Sequence, residues 1–509
     1  MTHTDMSRRS FLVLSAAATA VLASGCATSS DGGSSRSTTM TLAQPGEPNF
    51  GAAMQAFAGN SLWEHLVFDY LTELDENHEP QPLVAKSWKQ SDDLRTLTLT
   101  LRDDVVFHSG RPLTSADVKY SLEQAAIPEN LSQLAGVAQS IASMRPTDDH
   151  GLVITLKQPS NRLFELFEIT PMVDKETYKQ AAAGKLVVGT GPFSWVNYRA
   201  GNALKLKKNP KYWGGESELT SVTILIIKQS QALIASARSG RTQLTDGLTP
   251  LDADTIGSNG KLRVESVGGV QCYVVGLDAS TKPFNDIKAR QAVAKALDRG
   301  RIAKQVYKNS ASPTNLWWPK NTPGWDQKTN TTWTYDPDAA RAELDALGLV
   351  GTSIPVTVNS SDLIALAIFD IVRNNLEAAG LKVKPQILEG AAFVERNVAG
   401  KLGTCFVHAT GFGSLSPVAC ASATAHLKPD GGTHFTSPKY LQLIAAAGAA
   451  DKDHVAAANA ALGQYLVDQA FNLPLVMSPP PLVVSKEVEG NVKVSTAFHY
   501  LDPQSLAYR

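Results

Sequence analysis

Thr96-Leu97-Thr98-Leu99-Thr100-Leu101 alternates strictly between polar and apolar residues, which predicts a strand with one buried face. Leu152 to Leu156 alternates in the same way. Ala203 to Lys207 and Val222 to Ile227 read as further strands, separated by a break at Lys207-Lys208-Asn209-Pro210. Arg102 to Gly110 reads as a strand and turn. Thr114 or Ser115 can cap a helix running from Ala116 towards Ala125, with Asp117 in its favourable first turn.

The second half carries more helical periodicity. Asn285 or Asp286 can open a helix through Ile287, Ala292, Ala296 and Leu297. Asp336-Pro337 is a cap followed by proline at the first helical position, and Gly348 closes that helix. Pro355 to Val358 is a short strand. Ser360 or Ser361 then starts an amphipathic helix through Ile364, Ile368, Val372 and Leu376, ended by Gly380, and Leu381 to Leu388 returns as a strand. A strand, helix, strand unit implies an open sheet with helices on its faces. Val455 to Gln469 is the last clear helix, and no period of 20 to 50 residues repeats.

A chain of 509 residues, 43% apolar and 19% charged, should fold for most of its length into two or three domains. With 47 Lys+Arg against 48 Asp+Glu there is no basic excess for a nucleic-acid partner. Four cysteines exclude a disulfide scaffold. The first 25 residues read as an export signal: Ser7-Arg8-Arg9-Ser10-Phe11-Leu12 is a twin-arginine pattern, and Phe11 to Ala23 is an apolar run. Leu22-Ala23-Ser24-Gly25-Cys26 resembles a bacterial lipobox, which makes Cys26 the lipidation site, although Ala23 stands where leucine is usual. Residues 26–39, rich in Ser, Thr and Gly, read as a flexible tether. The expected location is extracytoplasmic, lipid-anchored to the outer face of the cell membrane or periplasmic.

Several blocks, in order, resemble the solute-binding proteins of peptide and nickel ABC importers (solute-binding family 5). They are Pro82 to Trp88 with Ser91-Asp92-Asp93; Leu101 to Val118; Gly189-Thr190-Gly191-Pro192-Phe193 with Asn209 to Gly215; and Pro283-Phe284-Asn285-Asp286 with Arg290-Gln291-Ala292 and Ala296 to Arg299. Read alone, Gly189 and Gly191 allow a backbone conformation that a Cβ would forbid. The resemblance implies an α/β fold of the two-lobe periplasmic-binding-protein type (type II, large cluster C-like), with a ligand cleft between the lobes. Lobe I would comprise residues 40–270 and 478–509, and lobe II residues 271–477. Pro479-Pro480-Pro481 could stiffen the returning crossover.

The resemblance further implies capture of a peptide or other amphipathic solute by lobe closure, delivery to ABC permease subunits, and a monomer. In peptide-binding relatives an acidic residue in a lobe II loop takes the peptide ammonium. The matching stretch is Thr410-Gly411-Phe412-Gly413-Ser414-Leu415-Ser416-Pro417, and Gly413 falls at the acidic position, which suits a bulkier or less cationic ligand. Phe412, Ser414 and Ser416 are expected to line the lobe II wall, with Thr410 and Gly413 in the same loop. On the other wall the family places the segment Glu47 to Phe57, with Met54 and Phe57 as candidates. Glu47 could replace the missing acid, or be a solvated carboxylate. Trp317-Trp318 precede Pro319 and could stack on ligand or pack in the core.

Cys405 and Cys420 flank the loop; they are either bonded, restraining it, or free, and Cys272 is a single buried thiol. There is no G-x-S-x-G, H-E-x-x-H, P-loop or C-x-x-C, so no enzyme and no cofactor is expected. His408, His426 and His434 are irregularly spaced and read as surface or loop histidines rather than a metal site. Nickel-chelate or siderophore-like ligands stay open as alternatives. Readings of a different class are a secreted hydrolase and a sensor or adhesion lipoprotein without transport.

Overall fold

The alternating segment forms an antiparallel sheet in the computed structural model, which describes residues 38–55, 59–182, 186–257, 260–266, 271–411, 415–490 and 506–508. The export signal, Cys26 and nearly all of the tether lie outside these residues. Strand β1 (Thr39–Gln44) comes first, and the chain then builds the strands β2 (Ala85–Gln90), β3 (Thr96–Leu101), β4 (Ile141–Asp148) and β5 (Gly151–Leu156) in the order β2-β3-β5-β4. Leu97, Leu99, Leu101, Leu152, Ile154 and Leu156 are all buried, whereas the threonines between the β3 leucines face outward. Helix α1 (Ser115–Ala126) packs beside it, its start fixed by a reciprocal capping box between Thr114 and Asp117. Arg102 to Gly110 is not a strand. It is a turn region with a single bridge, Val106 to Pro112, because Gly110 takes a left-handed φ of 88° and reverses the chain. Helix α2 (Leu163–Ile169) follows β5.

Strands β6 (Phe193–Arg199), β7 (Ala203–Lys208), β8 (Ser221–Ile226), β9 (Leu244–Thr245) and β10 (Leu262–Ser266) return to β1. A second sheet then forms from β11 (Gln271–Leu277), β12 (Ser312–Pro313), β13 (Ser353–Asn359), β14 (Lys382–Leu388), β15 (Cys405–Thr410) and β16 (Asn472–Ser478), in the order β12-β16-β11-β15-β13-β14. Strand β17 (Pro481–Ser485) rejoins the sheet of β1, whose order is β10-β17-β9-β1-β8-β7-β6. The chain therefore passes between the two sheets twice, and the strand ends that flank the two passages are paired. Ser266 pairs with Pro481 on one side, and Gln271 pairs with Ser478 on the other.

The expected strand, helix, strand unit is present. Strand β13 is parallel to β14, and helix α3 (Leu363–Ala378) connects them. Asp362, not Ser360 or Ser361, caps the helix, accepting from the amides of Ile364 and Ala365. Strand β13 is also parallel to β15 on its other side. Helix α4 (Gly390–Val398) joins β14 to β15, crossing over β13. Helix α3 shares a core with Cys405 and Val407, whereas Phe393 of α4 packs with Phe406. Since neighbours along a strand point to opposite faces, the two crossover helices cover opposite sides of the sheet. Helices α5 (Pro417–Ala423), α6 (Pro438–Gly448) and α7 (Val455–Gln469) pack together beyond it. Among the described residues no helix is long and apolar enough to cross a membrane.

Candidate functional site

A strand with parallel neighbours on both sides, whose crossovers leave on opposite faces, opens a crevice at its C-terminal end. Strand β13 is such a strand, and the crevice lies between Asn359 and Thr410. Asp362 stands at its mouth. Its carboxylate caps α3 and accepts the Tyr273 hydroxyl at 3.1 Å. Burial, with Asp362 adding its negative charge, holds the Tyr273 phenol protonated. The Thr410 hydroxyl is buried and bonded to that of Thr424 at 3.1 Å, so it serves the wall.

The first sheet has the same arrangement at β1, which is parallel to both β8 and β9. Gln44 ends the strand, and its Nε2 donates to the carbonyls of Gly46 and Gly59, pinning both ends of the following excursion. Glu47 on this excursion accepts from the Tyr198 hydroxyl, from the Gly201 amide at 3.3 Å and from Lys228 Nζ at 2.9 Å. The Tyr198 hydrogen bond, then Lys228, holds its carboxyl below the usual range. Glu47 is thus already neutralised by the chain rather than a spare acid. Met54 is fully buried in the core with Phe50 and Trp63.

Trp317 and Trp318 are core residues and not cleft walls. Trp317 Nε1 donates to Asn472 Oδ1 at 2.6 Å, and Asn472 Nδ2 donates to His426 Nδ1 at 2.8 Å. The Trp318 ring packs against Gly463, where a Cβ would stand 2.9 Å from it. Of the two placements the sequence allowed, stacking on ligand or packing in the core, the structure has the second: both indoles fill the space beneath α7. His408 and His426 depart from the expected surface or loop setting, whereas His434 is exposed in a loop. His426 is fully buried, its ring 5.3 Å from that of His408 on β15, and burial pushes His408 down to about 4. His434 pairs with Asp278 at 3.2 Å. Among the described residues no cluster of three or more side chains could hold a metal ion.

Cys405 and Cys420 are both free. Cys405 faces the α3 side of the sheet, and Cys420 lies in the core of α6 and α7 with Cys272. The sheet between them explains why no bridge forms. Ser416 caps α5, its Oγ accepting from the Ala419 amide at 3.0 Å. Phe57, Phe412, Gly413 and Ser414 lie outside the described residues.

Ser416 also lines a cavity of about 410 Å³, which lies between the four-stranded sheet with α2 and the layer formed by α5, α6 and α7. Its two walls are tied together. His78 Nδ1 donates to the Leu415 carbonyl at 3.0 Å, Asn321 Nδ2 to the Glu76 carbonyl at 2.6 Å, and Arg162 to Ser422 Oγ at 3.0 Å. Asn161 donates to the carbonyls of Ala447 and Ala450. His78 and Asn161 sit in turn segments without periodicity, so nothing in the sequence marked them.

Residues 79–428 match the bacterial extracellular solute-binding proteins, family 5, middle region. The chain belongs to this family. An ABC transporter peptide-binding protein assigned in Brucella ovis is 28% identical over 349 residues, which is 66% of this chain and 65% of that protein. The matched part is thus just under two thirds of that relative's length. Two solved family-like folds agree in architecture: the substrate-binding protein CtaP of Listeria monocytogenes superposes with a TM-score of 0.82 at 18% identity, covering 93% of this chain and 99% of that one. AgaA from A. tumefacien R10, solved with agropinic acid, gives 0.77 at 20% identity, covering 90% and 96%. The α/β periplasmic-binding-protein fold expected for family 5 is therefore present.

Proposed function

We propose that this chain is the extracytoplasmic capture subunit of an ABC importer, binding a peptide or other amphipathic solute and handing it to permease subunits. In this reading residues 40–270 with 478–509 form lobe I and residues 271–477 form lobe II. The observation that carries it is the pair of adjacent passages between two sheets, each sheet having a crevice at the end of a strand flanked by parallel neighbours. Two neighbouring linkers leave one easy motion, a swing about their common line, and ligand that touches both walls favours the closed form. The reading is one of binding without catalysis.

The loop Thr410 to Ser416 would contribute the lobe II wall, and Cys26 the lipid anchor. Native mass spectrometry of protein purified without refolding should show a co-purified small molecule. Added to stripped protein at 100 times its Kd, that molecule should stabilise the fold by about 2.7 kcal/mol. Radiolabelled fatty acid should enter the wild-type chain and not Cys26→Ala. Protein that carries no solute, and whose melting point no peptide or amphipathic solute moves, would end the proposal.

A further inference from the structure

The cavity beside Ser416 has a chemical character of its own. Trp88 and Phe164 line it and pack together with ring centroids 5.2 Å apart. Leu94 and Leu415 add apolar surface. Three carboxylates border it, Glu79, Glu165 and Asp451, against one ammonium, Lys452. Arg162 offsets Glu165 through a 3.0 Å contact, and His454 sits on Asp451, but Glu79 has no cationic side chain paired with it among the ion pairs of the described residues. His78 also lines the cavity. A backbone carbonyl can only accept, so His78 Nδ1 carries the proton towards Leu415 and Nε2 is left as the acceptor of the neutral ring. Burial keeps His78 neutral by lowering its pKa.

An aromatic pair beside Glu79, a bordering carboxylate without an ion-pair partner among the described residues, is a setting for an organic cation. Ring faces attract ammonium groups, most strongly at indole, and the attraction grows where water is partly excluded. The volume suits an aryl or short alkyl chain carrying the charge.

We propose that this cavity binds an alkyl- or arylammonium group, seated on Trp88 and Phe164 and balanced by Glu79. It thereby offers an acid from a residue other than Gly413. The inference deepens the solute-capture reading and rests on it for its biological role: the cavity takes the cationic end of the captured solute.

The probe is 2-phenylethylamine, compared with 2-phenylethanol and 3-phenylpropionate, titrated calorimetrically into the full-length protein. The amine should bind roughly tenfold more tightly than the alcohol, and the acid should not bind. Trp88→Leu should weaken the amine about fivefold or more and leave the alcohol less affected. Because Trp88 also packs on Phe164, a second variant guards against misfolding. Val455→Trp grows from the partly exposed first turn of α7 and fills the cavity, so it should abolish binding of amine and alcohol, while Val455→Leu should retain both. Equal binding of amine and acid, or amine binding that survives Val455→Trp in folded protein, would overturn the proposal. Selective amine binding in a protein that carries and takes up no larger solute would leave the cavity assignment standing and remove only the capture reading.

Discussion

The side-chain amide of Asn161 donates to the carbonyl of Ala447 at 3.0 Å. The same amide reaches the Ala450 carbonyl at 2.9 Å, and the Asn161 backbone amide reaches Gly448 at 2.9 Å. The last carbonyls of a helix have no partners within it. Asn161, from the segment after β5, therefore caps α6 from outside and fastens one wall of the cavity to the other. Asn161→Ala leaves two carbonyls without their donor and should lower the unfolding free energy by about 1–2 kcal/mol, read from urea midpoints. Asn161→Asp should cost more, since it adds a carboxylate facing those carbonyls. An aspartate variant as stable as wild type would show that the amide does not hold this junction.

What the sequence revealed was what repeats locally. The alternation of Thr96 to Leu101, the Asp336-Pro337 helix start and the span Val455–Gln469 depend on neighbours in the chain, and each is found as expected. Long-range approach left weaker traces. Gly189 and Gly191 were expected to need a special backbone conformation; instead they are required by contact, because a Cβ would come within 1.9 Å and 2.7 Å of Val67 backbone atoms. The tryptophan pair stayed open between ligand and core for a related reason: its burial depends on α7 lying over it, about 140 residues later. The Asn161 junction joins segments some 290 residues apart and has no local pattern at all.

Trp317 tests its placement in the core. Its indole supplies the donor that Asn472 Oδ1 accepts, while Asn472 Nδ2 stays on His426. Trp317→Phe keeps much of the volume and removes that donor, leaving a buried acceptor unsatisfied. The expected cost is about 1–3 kcal/mol in chemical denaturation. Solute affinity, measured calorimetrically, should stay unchanged. A large loss of affinity with little loss of stability would return this residue to the binding surface.

The three cysteines of the described body should behave as inert thiols. Burial pushes Cys405 and Cys420 up to about 12, and Cys272 higher still, so almost no thiolate exists at neutral pH. Iodoacetamide should label none of the three in folded protein and all three in concentrated urea, with no disulfide in non-reducing peptide mapping. A peptide linking Cys405 to Cys420 would contradict their placement on opposite faces of the second sheet.

His108 makes stability depend on mild acid. Its Nε2–H donates to the Gly191 carbonyl at 2.9 Å, and its Nδ1 accepts from the Gly189 amide at 3.3 Å. Protonating Nδ1 would set one N–H against another, and burial already pushes the ring down to about 4. In the unfolded chain the same ring gains its proton near 6.5. Between these values the unfolded state holds more protons, so stability is full above about 6.5 and is lost as pH falls towards 4, by at most about 1.4 kcal/mol per pH unit for this ring. His65, pushed down to about 3, and His408, at about 4, act in the same direction through burial. Urea midpoints measured from pH 7.5 to 4.5 should therefore fall steeply. His108→Gln can still donate to Gly191 and accept from Gly189 without titrating, so it should flatten the slope by one histidine's share. A variant whose stability falls with pH as steeply as the wild type would mean that His108 is already protonated in the folded protein, and that the glycine turn tolerates the charge.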